Sequence, residues 1–466
     1  MKIETFVRSV RIARPADEVF AWHERPGAFA RLQPPWERVE VLGQHGGIRD
    51  GARVTLRTRA GPLWTTWEVE HRDYRPGVSF RDVQIRGPFA RWEHVHRIEP
   101  LGPGQCRLHD EISYALPLGP LGRIGAGYVR AKLDRMFAYR HALTKADLEH
   151  AALLPPSGPL RVLITGASGL VGRALVPLLT TQGHTVVRLV RGVPRGPDEL
   201  PWNPAAGTLD LAAAGKLDAV VHLAGAGIAD RRWSKARKAE LRSSRVDGTR
   251  TLALALAALP ADRRPKVLVS ASAVGYYGDT RTAVADEHSP LGGGFLADIC
   301  QAWEEAAQPA QAAGIRTVLL RTGVVLTPAG GALAKMLPAF RAGGGGVLGN
   351  GRQGMSWISL DDLIGVIARA LTDDRCVGPL NAVAPEPCTN ADFTRTLGRV
   401  LRRPAIVPVP AFALRLLFGQ MADETLLADS RVRPARLNAL GHRFRHARLE
   451  EALRYVLGRE EARPPS

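Results

Sequence analysis

Two different spacings of apolar side chains divide this chain. Before residue 117, short runs alternate apolar and polar positions, which is typical of strands with one buried face. Residues 15–22 have the pattern of a short helix, and residues 125–153 carry apolar side chains mostly three or four positions apart, as one long helix would. The predicted strands are 5–12, 53–58, 64–71, 78–85, 92–98 and 106–116.

From residue 160 onward the predicted elements alternate between strand and helix. Such alternation indicates an α/β fold with a parallel, doubly wound sheet of the Rossmann type. Residues 155–159, Pro-Pro-Ser-Gly-Pro, form a linker between the two regions, because Pro and Gly interrupt both helices and strands. The predicted strands are 160–165, 184–190, 218–224, 265–271, 316–321 and 379–384, and the predicted helices are 169–182, 234–259, 295–313, 330–341, 360–372 and 390–402.

The first region resembles a known superfamily. Its order of strand, short helix, antiparallel strands and long C-terminal helix is that of a helix-grip fold. Residues 10–22, Val-Arg-Ile-Ala-Arg-Pro-Ala-Asp-Glu-Val-Phe-Ala-Trp, resemble the SRPBCC (START-like, polyketide cyclase-like) superfamily, and the resemblance covers residues 1–150. It implies an α+β domain in which the long helix closes a sheet over an apolar cavity, and hence a site for an apolar ligand.

Five side chains of this first region invite a chemical interpretation. Trp64, Trp67 and Trp92 either line the expected pocket or pack in the core. His94 and His96 lie two residues apart on one predicted strand, so their side chains share a face. A metal site would need a third ligand, and none is evident in the sequence. We therefore predict no metal and expect the pair to be exposed or to line the cavity.

The most informative stretch follows the apolar run 162–164, where the chain enters a turn with three glycines. Gly166 allows a tight turn, Gly169 lets the backbone approach a phosphate, and Gly172 lets the next helix pack closely on the sheet. The N-terminus of that helix offers free N–H groups to an anion. The spacing, with Thr165 before it, resembles the extended short-chain dehydrogenase/reductase superfamily. The candidate pyrophosphate-binding residues are Gly166, Ser168, Gly169, Leu170, Val171 and Gly172.

The second predicted strand of this region is followed directly by Arg191. An NAD site usually has Asp or Glu here to hold the ribose 2′-hydroxyl. A guanidinium matches a 2′-phosphate instead, so the sequence favours NADP(H) over NAD(H) as the cofactor. The alternative is that Arg191 only ends the strand in solvent.

Two further segments resemble cofactor-facing parts of the same superfamily. Val-His-Leu-Ala-Gly at 221–225 is similar to its "NLAG" element, whose small residues pass along the adenine-side ribose, which makes Ala224 and Gly225 candidate cofactor contacts. His222 lies inside this apolar strand and is expected to pack rather than to catalyse. Ser-Arg-Val-Asp-Gly-Thr, beginning at position 244, resembles the helix that faces the cofactor, where Arg245 either reaches a phosphate or pairs with a carboxylate.

The candidate catalytic residues follow the fourth predicted strand of this region. The segment 270–278, Ser-Ala-Ser-Ala-Val-Gly-Tyr-Tyr-Gly, resembles the "SSxxVYG" of extended reductases. Ser272 matches the serine that hydrogen-bonds a substrate oxygen. Tyr276 and Tyr277 are candidate proton donors, although each would also serve as a packing aromatic.

The usual catalytic pair of this superfamily is missing from the chain. Its members use a Tyr whose pKa is lowered by a Lys four residues later. Here Leu296 takes the place of the Tyr and Cys300 the place of the Lys. As a nucleophile Cys300 would need an activating group, and no His or Lys lies close in the sequence, so we expect a buried, inert thiol.

Taken together, the motifs from 160 to 457 resemble the YfcH-like epimerase family. The resemblance implies an NADP-binding, atypical extended reductase with no established substrate, and members of that family also depart from Tyr-x-x-x-Lys. The further segments that carry it are Lys-Met-Leu-Pro at 335–338, Gly-Asn-Gly-Arg-Gln-Gly-Met-Ser-Trp-Ile-Ser-Leu-Asp-Asp-Leu at 349–363, and a C-terminal extension with Pro-Ala-Ile-Val-Pro-Val-Pro at 404–410 and Met-Ala-Asp-Glu at 421–424.

Composition adds limits on partners and location. The net charge is +18 and the isoelectric point about 10.5, values that are also typical of proteins that bind nucleic acid. The basic residues are spread along the whole length without an RNP-like motif, zinc finger or basic block, so we predict no nucleic-acid partner. The chain has no run of 18 or more apolar residues, so we predict no membrane span. The first residues lack a signal-peptide core, and four cysteines show neither metal nor disulfide spacing, which fits the reducing cytoplasm.

These observations predict a protein of several domains. Its leading function is an NADP(H)-dependent oxidoreductase or epimerase that acts on a small organic molecule. The alternative is a cofactor-sensing or ligand-binding regulatory protein without turnover. The predicted division is an SRPBCC-like helix-grip domain at 1–154, a linker at 155–159, a Rossmann domain with a substrate lobe at 160–400, and a family-specific extension at 401–466.

Overall fold

A computed structural model describes residues 2–60, 63–117 and 125–459. The described chain forms two compact units, residues 2–153 with the short segment 180–183, and residues 154–179 with 184–459. The four-part domain division stays a prediction. Of the residues in that division, 1, 61–62, 118–124 and 460–466 lie outside the part of the chain that the structure describes.

The first unit is an antiparallel sheet with three helices. Its strands are β1 (Glu4–Ile12), β2 (Glu40–His45), β3 (Arg53–Ala60), β4 (Leu63–Arg75), β5 (Ser79–Arg86), β6 (Arg91–Gly102) and β7 (Gln105–Ala115), and its helices are α1 (Ala16–Glu24), α2 (Ala28–Arg31) and α3 (Ala126–Ala151). The sheet order is β1-β7-β6-β5-β4-β3-β2. Along β7 more buried and less buried positions alternate, because successive side chains of a strand point to opposite faces.

One face of this sheet is covered by α3. Phe6 of β1 packs in one buried cluster with Leu133 and Phe137 of α3. The sequence does not predict β2, because most of its side chains are exposed on both faces and no alternation marks it. It pairs with β3 at the edge of the sheet.

The second unit is an α/β fold around an eight-stranded sheet. Its elements are β8 (Arg161–Thr165), α4 (Leu170–Thr181), β9 (Thr185–Val190), β10 (Glu199–Asn203), β11 (Thr208–Leu209), β12 (Ala219–His222), α5 (Lys235–Ala257), β13 (Val267–Ala273), α6 (Phe295–Glu305), α7 (Gln308–Ala312), β14 (Arg316–Thr322), β15 (Val324–Leu326), α8 (Gly331–Arg341), β16 (Gly354–Met355), β17 (Trp357–Ser359), α9 (Leu360–Thr372), β18 (Gly378–Ala382), β19 (Cys388–Thr389), α10 (Asn390–Leu401), α11 (Ala411–Phe418), α12 (Ala435–Ala439) and α13 (Leu449–Val456).

The strand order of the large sheet is β11-β10-β9-β8-β12-β13-β14-β18, and all pairs except β10–β11 are parallel. The predicted Rossmann fold, preceded by an α+β domain, is confirmed. The chain adds β9 on one side of β8 and β12 on the other, so the strand order reverses at β8. In doubly wound sheets ligands bind at the carboxyl ends of the strands beside such a reversal.

The second unit differs from the predicted elements in several places, and the elements β15, β16, β17, β19, α11, α12 and α13 were not predicted. The predicted helix 295–313 is divided into α6 and α7, and Pro309 lies in the first turn of α7, where its missing N–H costs no hydrogen bond. The short strands β10 and β11 extend the sheet beyond β9 without a sequence signal of their own. None of the described helices combines the length and apolar character that crossing a bilayer requires.

Candidate cofactor and active site

The glycine turn connects the central strand β8 to α4 with very little space around its backbone. Gly166 has a φ of +69°, in the left-handed region, and a Cβ built there would lie 2.8 Å from the carbonyl carbon of Leu223. At Gly172, in the first turn of α4, a Cβ would lie 2.4 Å from the Gly166 carbonyl oxygen. Neither position accepts a side chain, so the backbone itself forms the surface at the N-terminus of α4. Such a terminus is an anion site.

A buried polar chain holds this turn against β12. The Thr165 hydroxyl accepts the backbone N–H groups of Leu223 at 3.1 Å and Ala224 at 3.2 Å, and it lies 2.7 Å from His222 Nδ1. The other ring nitrogen of His222 lies 2.9 Å from the hydroxyl of Thr249. Burial lowers the pKa of His222 to about 4, so the imidazole is neutral at pH 7. Both nitrogens are used within the fold, which gives His222 a structural role.

Two arginines lie in very different surroundings near this edge of the sheet. Arg191 is exposed and follows β9 directly. Arg245 is buried on α5 and donates to the carbonyl oxygens of Leu241 at 3.1 Å and Ala226 at 2.9 Å. Burial lowers the pKa of Arg245 to about 10. Its guanidinium therefore fixes the backbone that follows β12, an arrangement that neither sequence-based alternative anticipates.

Three polar side chains form a row across the carboxyl ends of neighbouring parallel strands. Ser272 of β13 pairs in register with Arg321 of β14, which pairs in register with Asn381 of β18. In-register residues of a parallel sheet point to the same face. The row therefore lies on one face of the sheet, at the edge where ligands of doubly wound folds bind.

An ion pair joins this row to α6. Glu304 accepts two parallel bonds from Arg321, both of 2.8 Å, and a third from the Ser272 hydroxyl at 2.7 Å. Burial alone would lower the pKa of Arg321, but the carboxylate raises it above the ordinary value. The Ser272 hydroxyl therefore donates its hydrogen to Glu304, and its oxygen can still accept a hydrogen bond from another group.

The two adjacent tyrosines, on a short 3-10 turn after β13, have different environments. The Tyr277 hydroxyl donates to Asn381 at 2.8 Å and accepts from Arg321 at 3.0 Å. Burial raises the pKa of Tyr277, so its phenol stays protonated at neutral pH. Tyr276 is only partly buried, and its ring centroid lies 3.4 Å from Arg321 Cζ. Of the two phenols, Tyr277 is held in the interior and Tyr276 borders solvent.

The position of the missing catalytic pair is filled by apolar contacts. A Cβ at Gly275, in the tyrosine turn, would lie 3.3 Å from Leu296 Cβ and 3.7 Å from Cys300 Sγ. Cys300 is 3% exposed, and burial raises the pKa of its thiol to about 12. At neutral pH the thiol is protonated and shielded, so it cannot act as a nucleophile.

Sequence reasoning missed Glu304, Arg321 and Asn381 as members of this site. The available signal was an arginine that directly follows the apolar run 318–320 of β14, because an ionised side chain inside a sheet needs a partner. Which carboxylate serves as the partner depends on how α6 packs, and the sequence does not show that.

Glu304→Gln is expected to lower the free energy of unfolding. The amide retains the shape but removes the charge that compensates buried Arg321, and a hydrogen bond to a charged group contributes about 1.5–3 kcal/mol. Urea unfolding followed by circular dichroism measures the loss, with Glu305→Gln on the exposed side of α6 as control, expected within about 0.5 kcal/mol of wild type. Equal stability of both variants would contradict the role given to the ion pair.

A separate cavity of about 410 Å³ lies inside the first unit. Trp67 and Trp92 line it, whereas Trp64 is 42% exposed and lies beneath the guanidinium groups of Arg57 and Arg59. His94 and His96 also border the cavity, so its wall is polar at one side rather than uniformly apolar.

The architecture and the glycine turn together define an NAD(P)-binding protein of the extended short-chain dehydrogenase/reductase class. The NAD dependent epimerase/dehydratase family matches residues 162–381, the polyketide cyclase / dehydrase and lipid transport family residues 4–145, and a domain of unknown function, DUF1731, residues 409–456. An epimerase family protein of Mycobacterium bovis is 47% identical over 298 residues, which cover 64% of this chain and 98% of the relative. The chain belongs to the epimerase family, and its predicted resemblances are confirmed.

Two solved structures extend the comparison. The nucleoside-diphosphate sugar epimerase from Corynebacterium glutamicum is 34% identical, with a TM-score of 0.80, and the match covers 98% of this chain and 91% of that one. Human epimerase family protein SDR39U1 (isoform 2), solved with NADPH, is 37% identical with a TM-score of 0.59, covering 64% of this chain and 99% of that one. The match to the Corynebacterium structure thus extends over both units, whereas the match to the human structure is about as long as the second unit alone.

Proposed function

We propose that the second unit binds NADP(H) and serves an oxidoreductase or epimerase reaction on a small organic molecule. The observation that carries the proposal is the glycine turn, whose backbone leaves no room for a Cβ at Gly166 or Gly172. Backbone atoms without side chains therefore form the surface at the N-terminus of α4. The human relative solved with NADPH supports the choice of cofactor.

The residues around the turn fit the cofactor in type and position. The backbone N–H groups at the start of α4 suit a pyrophosphate, and the exposed guanidinium of Arg191 suits a 2′-phosphate. Ala224 and Gly225 leave a smooth backbone for the adenine-side ribose. We assign Arg245 a positioning role, because its donors are taken by carbonyl oxygens. The proposed pyrophosphate contacts are Gly166, Ser168, Gly169, Leu170, Val171 and Gly172.

Arg191→Ala is expected to weaken NADPH binding about 10–100-fold while leaving NADH binding within about 2-fold, because a charge-assisted pair with phosphate contributes roughly 1.5–3 kcal/mol. Fluorescence titration with both cofactors measures the two affinities. Arg250→Ala, which removes the same charge from the exposed side of α5, is the control. An unchanged NADPH/NADH affinity ratio in Arg191→Ala would refute the assignment.

We further propose that Tyr276 exchanges a proton with the substrate. When bound, the cofactor supplies or accepts the hydride. The chain must then hold or move the proton, and the tyrosine that borders solvent is the phenol that a substrate oxygen can approach. Ser272 offers only its oxygen in the hydrogen bonding described above, so it orients a substrate hydroxyl. Arg321 lies beneath the Tyr276 ring and fixes its position through a cation–π contact, with Cζ 3.4 Å from the ring centroid.

The alternative function is a cofactor-sensing protein without turnover, and the replacement of the usual catalytic pair by Leu296 and Cys300 favours it. Two assays together distinguish the two: spectrophotometric NADPH oxidation with a panel of aldehydes and ketones, and chromatographic detection of epimerised products from nucleoside-diphosphate sugars, since an epimerase regenerates its cofactor. We expect oxidation or epimerisation of at least one member of the panel. Saturable NADPH binding with neither oxidation nor epimerisation would support the sensor.

A further inference from the structure

A cluster of imidazole and carboxylate groups lies on one face of the antiparallel sheet in the first unit. Asp82 of β5 stands directly opposite His94 of β6, and His96 of β6 stands directly opposite Asp110 of β7. Directly opposite residues share a face, and so do residues two apart on one strand. The strand register therefore brings all four side chains together from three strands.

Three of these groups have the spacing of metal ligands. Asp82 Oδ1 lies 3.2 Å from His94 Nδ1 and 3.5 Å from His96 Nε2, and the three ligand atoms lie within 4.8 Å of one another. Ligands about 2.0–2.1 Å from a tetrahedral zinc ion are separated by about 3.3 Å. Each of the two distances from Asp82 Oδ1 is therefore close to the separation of two ligand atoms on such an ion.

The remaining polar atoms of the three groups lie close to other side chains. His94 Nε2 lies 2.8 Å from Asp110 Oδ1, and His96 Nδ1 lies 2.7 Å from the same oxygen. An ionised carboxylate only accepts hydrogen bonds and a metal-binding imidazole is neutral, so with a metal on Asp82 Oδ1 each ring would turn a lone pair towards the metal and an N–H towards Asp110. Trp92 Nε1 donates to Asp82 Oδ2 at 3.2 Å, which leaves Oδ1 for a ligand. A carboxylate behind a metal-binding histidine is a recurrent support of metal sites.

The three groups also border open space. Asp82, His94 and His96 line the cavity of about 410 Å³, whereas Asp110 is 2% exposed and, among the described residues, does not border it. A metal ion held on three protein atoms keeps a further coordination position. In this site that position faces the cavity.

We propose that Asp82, His94 and His96 bind a divalent transition-metal ion of the Zn²⁺ type. Its open position takes water or an oxygen or nitrogen donor of a cavity ligand. The third ligand, Asp82, lies twelve residues before His94, and the pairing of β5 with β6 places the two side by side. The sequence alone does not reveal this ligand. The proposal concerns the first unit and does not depend on NADP(H) binding in the second.

The test uses the full-length chain without an affinity tag, stripped with a chelator and titrated with Co²⁺ and Zn²⁺. Wild type is expected to bind about one ion per chain with three protein ligands, and Co²⁺ is expected to show the visible absorption of a four-coordinate site. Asp82→Asn and His96→Gln are expected to lose both signals. Asp110→Asn should retain the site but weaken its affinity about 10–100-fold, as loss of a supporting carboxylate does.

His109→Gln is the matched control, because His109 neighbours Asp110 on β7 but points to the opposite face of the sheet. It is expected to bind like wild type. Circular dichroism and thermal melting show whether each variant is folded, and Asp110→Asn keeps the test decisive if a ligand variant unfolds. Absence of stoichiometric metal in wild type, or stoichiometric metal that survives in folded Asp82→Asn, would overturn the proposal.

Discussion

Gly172→Ala is expected to reduce NADPH affinity on the order of 10²–10⁴-fold. The added Cβ would lie 2.4 Å from the Gly166 carbonyl oxygen and 2.6 Å from Ala167 Cα, so α4 and the turn must move apart. Loss of two charge-assisted backbone hydrogen bonds to a pyrophosphate, each about 1.5–3 kcal/mol, produces this decrease. Isothermal titration with NADPH measures it.

The control is Gly158→Ala, in the segment before β8. A Cβ there has no neighbour within 4 Å among the described residues, and its φ lies outside the left-handed region. It should therefore bind NADPH within about 2-fold of wild type, as surface substitutions away from special features usually have small effects. If folded Gly172→Ala also binds like wild type, the glycine turn is not the pyrophosphate site.

Tyr276→Phe is expected to lower kcat about 10²–10⁴-fold, the usual contribution of a positioned acid or base. NADPH affinity should stay within about 2-fold, because removal of one oxygen leaves the ring and its contact with Arg321 in place. The measurement is steady-state kinetics with the substrate found in the two activity assays, together with an NADPH titration.

Tyr277→Phe is the informative comparison, because the neighbouring phenol is buried and bonded to Asn381 and Arg321. Its removal should lower the free energy of unfolding by about 1–3 kcal/mol, since it leaves buried partners unsatisfied. It should lower kcat less than about 10-fold, well below the contribution of an acid or base. The opposite order of kcat losses would transfer the proton-donor role to Tyr277.

Much of the fold follows from local sequence patterns. β8 is apolar and buried, as a central parallel strand should be, and the glycines after it mark the turn. Several of the elements that escaped prediction carry little local signal, although the amphipathic helix α13 escaped it too. β2 is exposed on both faces, and β10 and β11 are short additions at the sheet edge.

The candidate site was predictable only as far as it depends on neighbours in sequence. Ser272 and the two tyrosines follow one strand and are found by their motif. Their partners Glu304 and Asn381 lie 32 and 104 residues from them and meet them only through strand register and helix packing. The same reason explains the first unit, where Asp82 joins the two histidines across a hairpin.

A structure of the full-length chain with NADPH bound tests the central claim most directly. The account predicts the pyrophosphate against the turn at 166–172 and the 2′-phosphate about 3 Å from the Arg191 guanidinium. It also predicts the Tyr276 hydroxyl within hydrogen-bond reach, directly or through one water, of a substrate oxygen beside the nicotinamide. A 2′-phosphate directed away from Arg191, or a nicotinamide that the Tyr276 hydroxyl cannot reach, would contradict it.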